Sequence, residues 1–152
     1  MTYEDLLIEA DDNNLIVKEK PLLANKGRIK GDHIAIKHDL LTSEKACVLA
    51  EELGHHFTTT GNIINQNCEA DIKQERRARK WAYDKLVGLD GIIACHKRMC
   101  RSITDMATEL NVTEQFIQES IQYLRDKYGV GVKYGKYIIV FYPSLYVIEK
   151  IN

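Results

Sequence analysis

Hydrophobic positions along the chain change period several times, and each change predicts an element. In residues 2–11, Leu6, Leu7 and Ala10 repeat at helical spacing behind Thr2 and Asp5, a capping pair, and the DDNN run after them is turn-forming. Residues 15–17 and 27–37 take the extended pattern. In the latter, Ile34 and Ile36 alternate with His33, Ala35 and Lys37 after a turn signal at Lys30-Gly31-Asp32, which predicts a half-buried strand closing a hairpin. From Thr42 or Ser43, either of them a good N-cap, the helical period returns. Ala46, Leu49, Ala50, Leu53 and Phe57 form its inward stripe, while Glu51, Glu52 and His55 share an off-stripe flank with Val48. The TTTGN run then breaks the helix.

A third helix is expected over 70–86, with Ile72, Ala78, Trp81, Ala82 and Leu86 inward, and 88–91 (GLDG) reads as a turn and hinge. Beyond it the texture changes. Residues 92–99 form a short apolar helix, and 102–110 another, opened by Ser102 and Asp105. Asn111-Val112-Thr113 is a turn, with Val112 placed to staple onto Ile117, and Thr113 caps a helix to about 127. Residues 129–142 end as a β-hairpin, carrying Val130, Val132 and Tyr134, a turn at Gly135-Lys136, then Ile138, Val140 and Tyr142. The class is α+β, mostly helical, with a division into 1–88 and 89–152 or one continuous unit.

Composition narrows the function classes. With 152 residues there is room for a real core, and a net charge of −1 provides no global attraction to nucleic acid or an anionic membrane. The charge is uneven: residues 1–14 are acidic, while 73–80 (KQERRARK) and 97–101 (KRMCR) are basic. The basic run containing Arg76, Arg77, Arg79 and Lys80 reads as a solvated helix face or a surface for an acidic partner. No apolar run reaches the ~18 residues that span a bilayer, and the first residues lack the pattern of a signal peptide, so a cytoplasmic protein without a membrane partner is expected. Cys47, Cys68, Cys95 and Cys100 then read as reduced, buried thiols, with Cys95-His96 and Cys100 too loosely spaced for a metal site.

The chemistry concentrates in AEELGHHF, residues 50–57. Helix-borne metal ligands stand at i and i+4, where one turn brings both to the same face, with a carboxylate base at i+1. Glu51 with His55 leaves Glu52 at i+1; Glu52 with His56 leaves Leu53, which abstracts no proton. The first frame alone makes a hydrolase, though a solvated flank of acids and histidines has the same composition. Glu75, in QERRARKWA, is a candidate third ligand if Ala78, Trp81 and Ala82 pack its helix on the previous one; otherwise it pairs with Arg79 at i+4.

Together, KGDHIAIKHDL, LTSEKACVLA, EELGHHF and ERRARKWA resemble the ImmA/IrrE family of metallo-endopeptidases, particularly the short members of phages and mobile elements. The resemblance covers about 15–88 well. It implies a zincin-like core, Glu52 as general base, and His55 and Glu75 as metal ligands. Glu51 stands where that family carries histidine. As a carboxylate it can still bind Zn2+, but a more anionic site favours harder ions such as Mn2+ and acidifies bound water less. The resemblance also implies a protein substrate, a phage or mobile-element repressor of the helix-turn-helix type, cut site-specifically. The alternative is a non-catalytic, protein-binding regulator that keeps the fold.

Two further readings stay open. His38 and His33 lie at the ends of the predicted strand, which in such proteases borders the cleft and pairs with substrate; His38 is either an oxyanion contact or an ordinary surface histidine. The C-terminal SITDMATELNVTEQFIQES has the cadence of a helix-turn-helix, but Glu114, Gln115 and Glu119 on its second helix disfavour direct DNA binding. A protein-docking module or plain core packing fits it better.

Overall fold

The computed structural model describes residues 1–59 and 68–151, with Cys68 described by its backbone alone. Twelve elements follow in chain order: α1 (Tyr3–Asp12), β1 (Ile16–Lys20), β2 (Gly27–Lys30), β3 (His33–Lys37), α2 (Thr42–Thr58), α3 (Cys68–Leu86), α4 (Gly88–Lys97), α5 (Ile103–Leu110), α6 (Glu114–Tyr128), β4 (Gly131–Tyr134), β5 (Tyr137–Val140) and β6 (Tyr146–Glu149). The class is α+β, with helices dominating two small sheets. Contacts divide the chain into two compact units, Met1–Ala82 and Tyr83–Asn152.

In the first unit, α1 starts at a complete capping box. The Thr2 hydroxyl accepts from the Asp5 N–H, and the Asp5 carboxylate accepts from the Thr2 N–H. The sheet has the order β1-β3-β2, with β1 parallel and β2 antiparallel to β3. Gly31, at φ 62°, makes the tight β2–β3 turn that the sequence predicts. Ile34 and Ile36 are buried, while Leu6, Leu49 and Leu53 are fully enclosed, so the sheet and the two helices share one apolar core.

The α2 helix departs from expectation at both ends of its inward stripe. Its N-cap is Leu41, with no side-chain hydrogen bond, so neither Thr42 nor Ser43 caps it. Phe57 is 37% exposed rather than buried, and stacks on Trp81 of α3 with centroids 5.2 Å apart. The physical reason is that α2 ends one residue later, at Thr58, so its last turn has left the core. The helix stops with Thr59 as C-cap; the rest of TTTGN lies outside the described residues. On α3, Ala78 and Ala82 are buried as expected, but Ile72 is 51% exposed, since the first turns of that long helix run ahead of the core.

The second unit packs α4, α5 and α6 with the antiparallel sheet β4-β5-β6. The GLDG stretch is not a loop. Gly88, at φ 57°, breaks the helical path, and the residues after it form the first turn of α4. Ser102 and Thr113 cap α5 and α6 through the N–H groups of Asp105 and Phe116, Asn111 takes the left-handed turn between them, and Val112 and Ile117 are buried. In the terminal hairpin the buried face is Tyr137, Ile139 and Phe141, while Val130 and Tyr142 are exposed, so the inward phase belongs to the residues between Ile138, Val140 and Tyr142. A third strand, β6, absent from the sequence reading, completes that sheet. Among the described residues, no helix is long and apolar enough to cross a membrane.

Candidate active site

The helix pair α2–α3 makes its closest approach at a glycine. A Cβ on Gly54 would collide with the backbone carbonyl of Ala78, so the two helices meet main chain against main chain. That approach decides the position of everything on the flanks. On α3, one turn C-terminal of Ala78, Trp81 meets Phe57, and one turn N-terminal of Ala78, Glu75 meets His55. The Glu75 Oε1 lies 3.2 Å from His55 Nε2, across α2 and α3 rather than along α3 to Arg79. The imidazole is largely enclosed and the carboxylate half exposed.

Glu52 sits on the same flank and is mostly buried. The β2 strand covers it. A Cβ on Gly27 would lie 3.0 Å from Glu52 Oε1 and would collide with Val48, so only a glycine lets the strand pass this close. Burial raises the Glu52 pKa to about 7, and the neighbouring carboxylates of Glu51 and Glu75 push it in the same direction. A carboxyl group that titrates near neutrality can take a proton from water and return it, the behaviour required of a general base.

The β2–β3 hairpin and the helices also border an open cavity of about 330 Å³, lined by Ile29 and Gly31 from the hairpin and by His55, His56, Thr59 and Gln74 from the helical side. Gln74 and the hairpin tip are site residues that the sequence reading missed. The signal was present, since Gln74 directly precedes Glu75 and Gly31 was already assigned to a turn, but only the packing of β2 along α2 brings them together.

Other expected positions fall elsewhere. The strand β3 is central, paired on both sides, so it offers no free edge to a substrate; β2 and β1 are the edges of that sheet. His38 lies beyond the end of β3, with Nδ1 3.4 Å from the carbonyl oxygen of Lys20, and His33 contacts Asp32 at 2.6 Å. Neither reaches the flank of Glu52 in any described contact. His56 is exposed and edge-on to Phe57. In the second unit, Cys95 and Cys47 are buried and Cys100 is partly exposed. Burial, with Cys100 adding to it, pushes the Cys95 thiol up to about 12, which suits an inert core thiol.

The α2–α3 flank carries donors of the kind that divalent cations take. Among the described residues, no three His, Cys, Asp or Glu side chains form a ready-made metal group. His55 and Glu75 supply two corners in contact, and the carboxylates of Glu51 and Glu75 add to the burial that raises the Glu52 pKa. An imidazole with surrounding carboxylates is a donor set that divalent cations accept, and a cation would relieve their repulsion, so the residues fit the group in chemistry while the third corner is left open.

An acid-and-histidine helix is thus braced by a carboxylate from the next helix beneath a small sheet. The match to family models is explicit: residues 11–122 match Peptidase_M78, described as the IrrE N-terminal-like domain, and the chain belongs to that family. Comparison with the curated proteins and with the solved structures gave no match.

Proposed function

We propose that the protein is a metal-dependent endopeptidase of the zinc type that cuts a regulatory protein, with Glu52 as the general base. The observation that carries this reading is the geometry of the flank, where His55 and Glu75 touch across α2 and α3 and Glu52 lies beside them under the β2 strand. His55, Glu75 and Glu51 would hold the ion. When bound, a divalent cation supplies Lewis acidity toward a scissile carbonyl and a nearby water. Glu52 takes the proton of the attacking water and delivers it to the departing amine nitrogen, while the glycine of β2 keeps bulk solvent off its carboxylate. Two carboxylates and one imidazole make a more anionic ligand set than two imidazoles and one carboxylate, which tilts preference from Zn2+ toward Mn2+ and slows the chemistry. The substrate class favoured is a repressor of the phage or mobile-element kind, with a helix-turn-helix fold.

The test is Glu52→Gln assayed on a candidate repressor encoded near the protease. The variant should fold and take up metal normally yet cut at least ~100-fold more slowly, the scale of losing a positioned general base. Cleavage at the wild-type rate would refute the assignment. One feature favours a second reading, a non-catalytic regulator that binds its partner without cutting it: Glu51 occupies the first ligand position, and the described residues form no closed metal group. Wild-type protein that binds the repressor stoichiometrically and leaves it intact, with and without added Zn2+ or Mn2+, is the outcome that selects it.

A further inference from the structure

The N-terminal sheet has two faces of opposite character. Ile34 and Ile36 turn onto the helices, and so does Glu19, the one acid of β1, which is held by Lys45 at 3.0 Å and by the Tyr3 hydroxyl at 3.1 Å. The opposite face presents Lys18 and Lys20 of β1 together with Arg28 and Lys30 of β2, all exposed, around Ile16, His33 and Ala35. These residues line a shallow cavity of about 320 Å³. The register sets them in rows: Lys18, Ala35 and Arg28 share one, and Ile16, His33 and Lys30 the next. Neighbouring strands are about 4.8 Å apart and same-face residues about 6.8 Å apart along a strand, so four permanent cations share a patch of about 10 Å by 14 Å.

None of the four has an ion-pair partner among the described residues. Two neighbouring cations do have partners: Lys26 has Glu44 at 3.5 Å, and Lys37, directly opposite Lys20 on β3, has Asp39 at 3.8 Å. Nor is acid scarce, because the chain carries 22 acidic residues against 21 Lys and Arg. None of the four lies directly opposite another, since β3 runs between the edge strands β1 and β2.

We propose that this face binds the phosphate backbone of duplex nucleic acid without reading its sequence. The composition selects that partner. Three of the four cations are lysines, which protein-binding surfaces avoid, and no large aromatic or Met anchor stands among them. The face also lacks the aromatic platform on which single-stranded bases stack. What it offers is a set of cations spaced to meet several phosphates at once. This interaction is separate from the C-terminal helix pair, whose second helix opens on Glu114, and from the peptidase reading of α2 and α3.

Anisotropy of a labelled random-sequence DNA duplex titrated with the full chain tests it. Four phosphate contacts predict a log–log salt slope of about −3.6, which weakens binding about 100-fold between roughly 50 and 200 mM salt. The variant K18Q/K20Q/R28Q/K30Q should lose at least ~10-fold in affinity and most of that slope, while K18R/K20R/R28K/K30R should bind like wild type. If the Gln variant melts early, single Lys20→Gln and Arg28→Gln should each reduce the slope by about 1 in folded protein. The proposal is overturned if the Gln variant binds as wild type, if wild type shows no salt-dependent binding, or if poly-glutamate of matched charge binds as tightly as the duplex, which identifies an acidic protein as the partner.

Discussion

At the residue scale, Glu52 shows how a helix flank becomes reactive. On sequence alone it is one of two adjacent glutamates on an off-stripe face. In the structure β2 closes over it through Gly27, and burial together with Glu51 and Glu75 raises its pKa from 4.5 to about 7. The sign of the stability effect follows. The folded state holds the proton more tightly than the unfolded chain, so this contribution is complete below about pH 4.5 and is lost as pH rises through about 7. In protein kept metal-free with chelator, urea denaturation at pH 5 and pH 8 should show Glu52 contributing up to about 3 kcal/mol of the loss on going to the higher pH. Glu52→Gln should remove that part of the difference; an unchanged pH dependence in the variant excludes a raised Glu52. The identities of Glu52, His55 and Glu75 were legible as candidates because spacing on a helix is local, whereas their electrostatics depend on what lies above them.

At the element scale, the α2–α3 crossing decides the site. The stripe Ala46, Leu49, Ala50 and Leu53 was readable from period alone, and so were Ala78 and Ala82 on the facing helix. Which residues meet across the crossing was not readable, because period gives a face and not a register. Gly54 against Ala78 sets that register and hands Glu75 to His55 instead of Arg79. Gly54→Ala adds a methyl where a carbonyl oxygen stands. Helix propensity favours alanine by about 1 kcal/mol, but overpacking costs roughly 1–3 kcal/mol and more against backbone, so a net loss of about 1–2 kcal/mol is expected. Thermal denaturation should show a melting temperature several degrees lower; an equal or higher one means the helices are not held this closely. The strand β3 provides the complementary lesson. Its alternation was read correctly, yet its role at a cleft edge was not, since pairing with β1 and β2 on both sides is a long-range fact.

At the scale of the whole molecule, the chain comprises two compact units, and the charged features of the first are sorted by face. Carboxylates gather on the α2–α3 flank, and cations without an ion-pair partner among the described residues gather on the outer face of the sheet. A cation bound only by the folded α2–α3 flank must stabilise the protein by mass action. Zinc or manganese at 100 times the dissociation constant should raise stability by about 2.7 kcal/mol, seen as a higher melting temperature that chelator reverses. His55→Ala should abolish the shift. A melting temperature indifferent to both ions in wild type removes the metal reading and leaves the protein-binding alternative. The second unit repeats the pattern of partial legibility: its caps at Ser102 and Thr113 were readable, because a cap is made by residues three apart, but β6 and the inward phase of β5 were not.

The sequence by itself determined the α+β class, the helix-borne set of Glu51, Glu52 and His55, the candidacy of Glu75, and the resemblance that the family match bears out. These depend on periodicity and short spacings, which neighbouring residues set by sterics and hydrogen bonding within a turn or two. Only the tertiary structure decided that Glu75 meets His55, that Gly27 and Gly54 make the close approaches, and that Lys18, Lys20, Arg28 and Lys30 share one sheet face. Those depend on register between elements distant in the chain, and register is fixed by which side chains leave room for a backbone to pass.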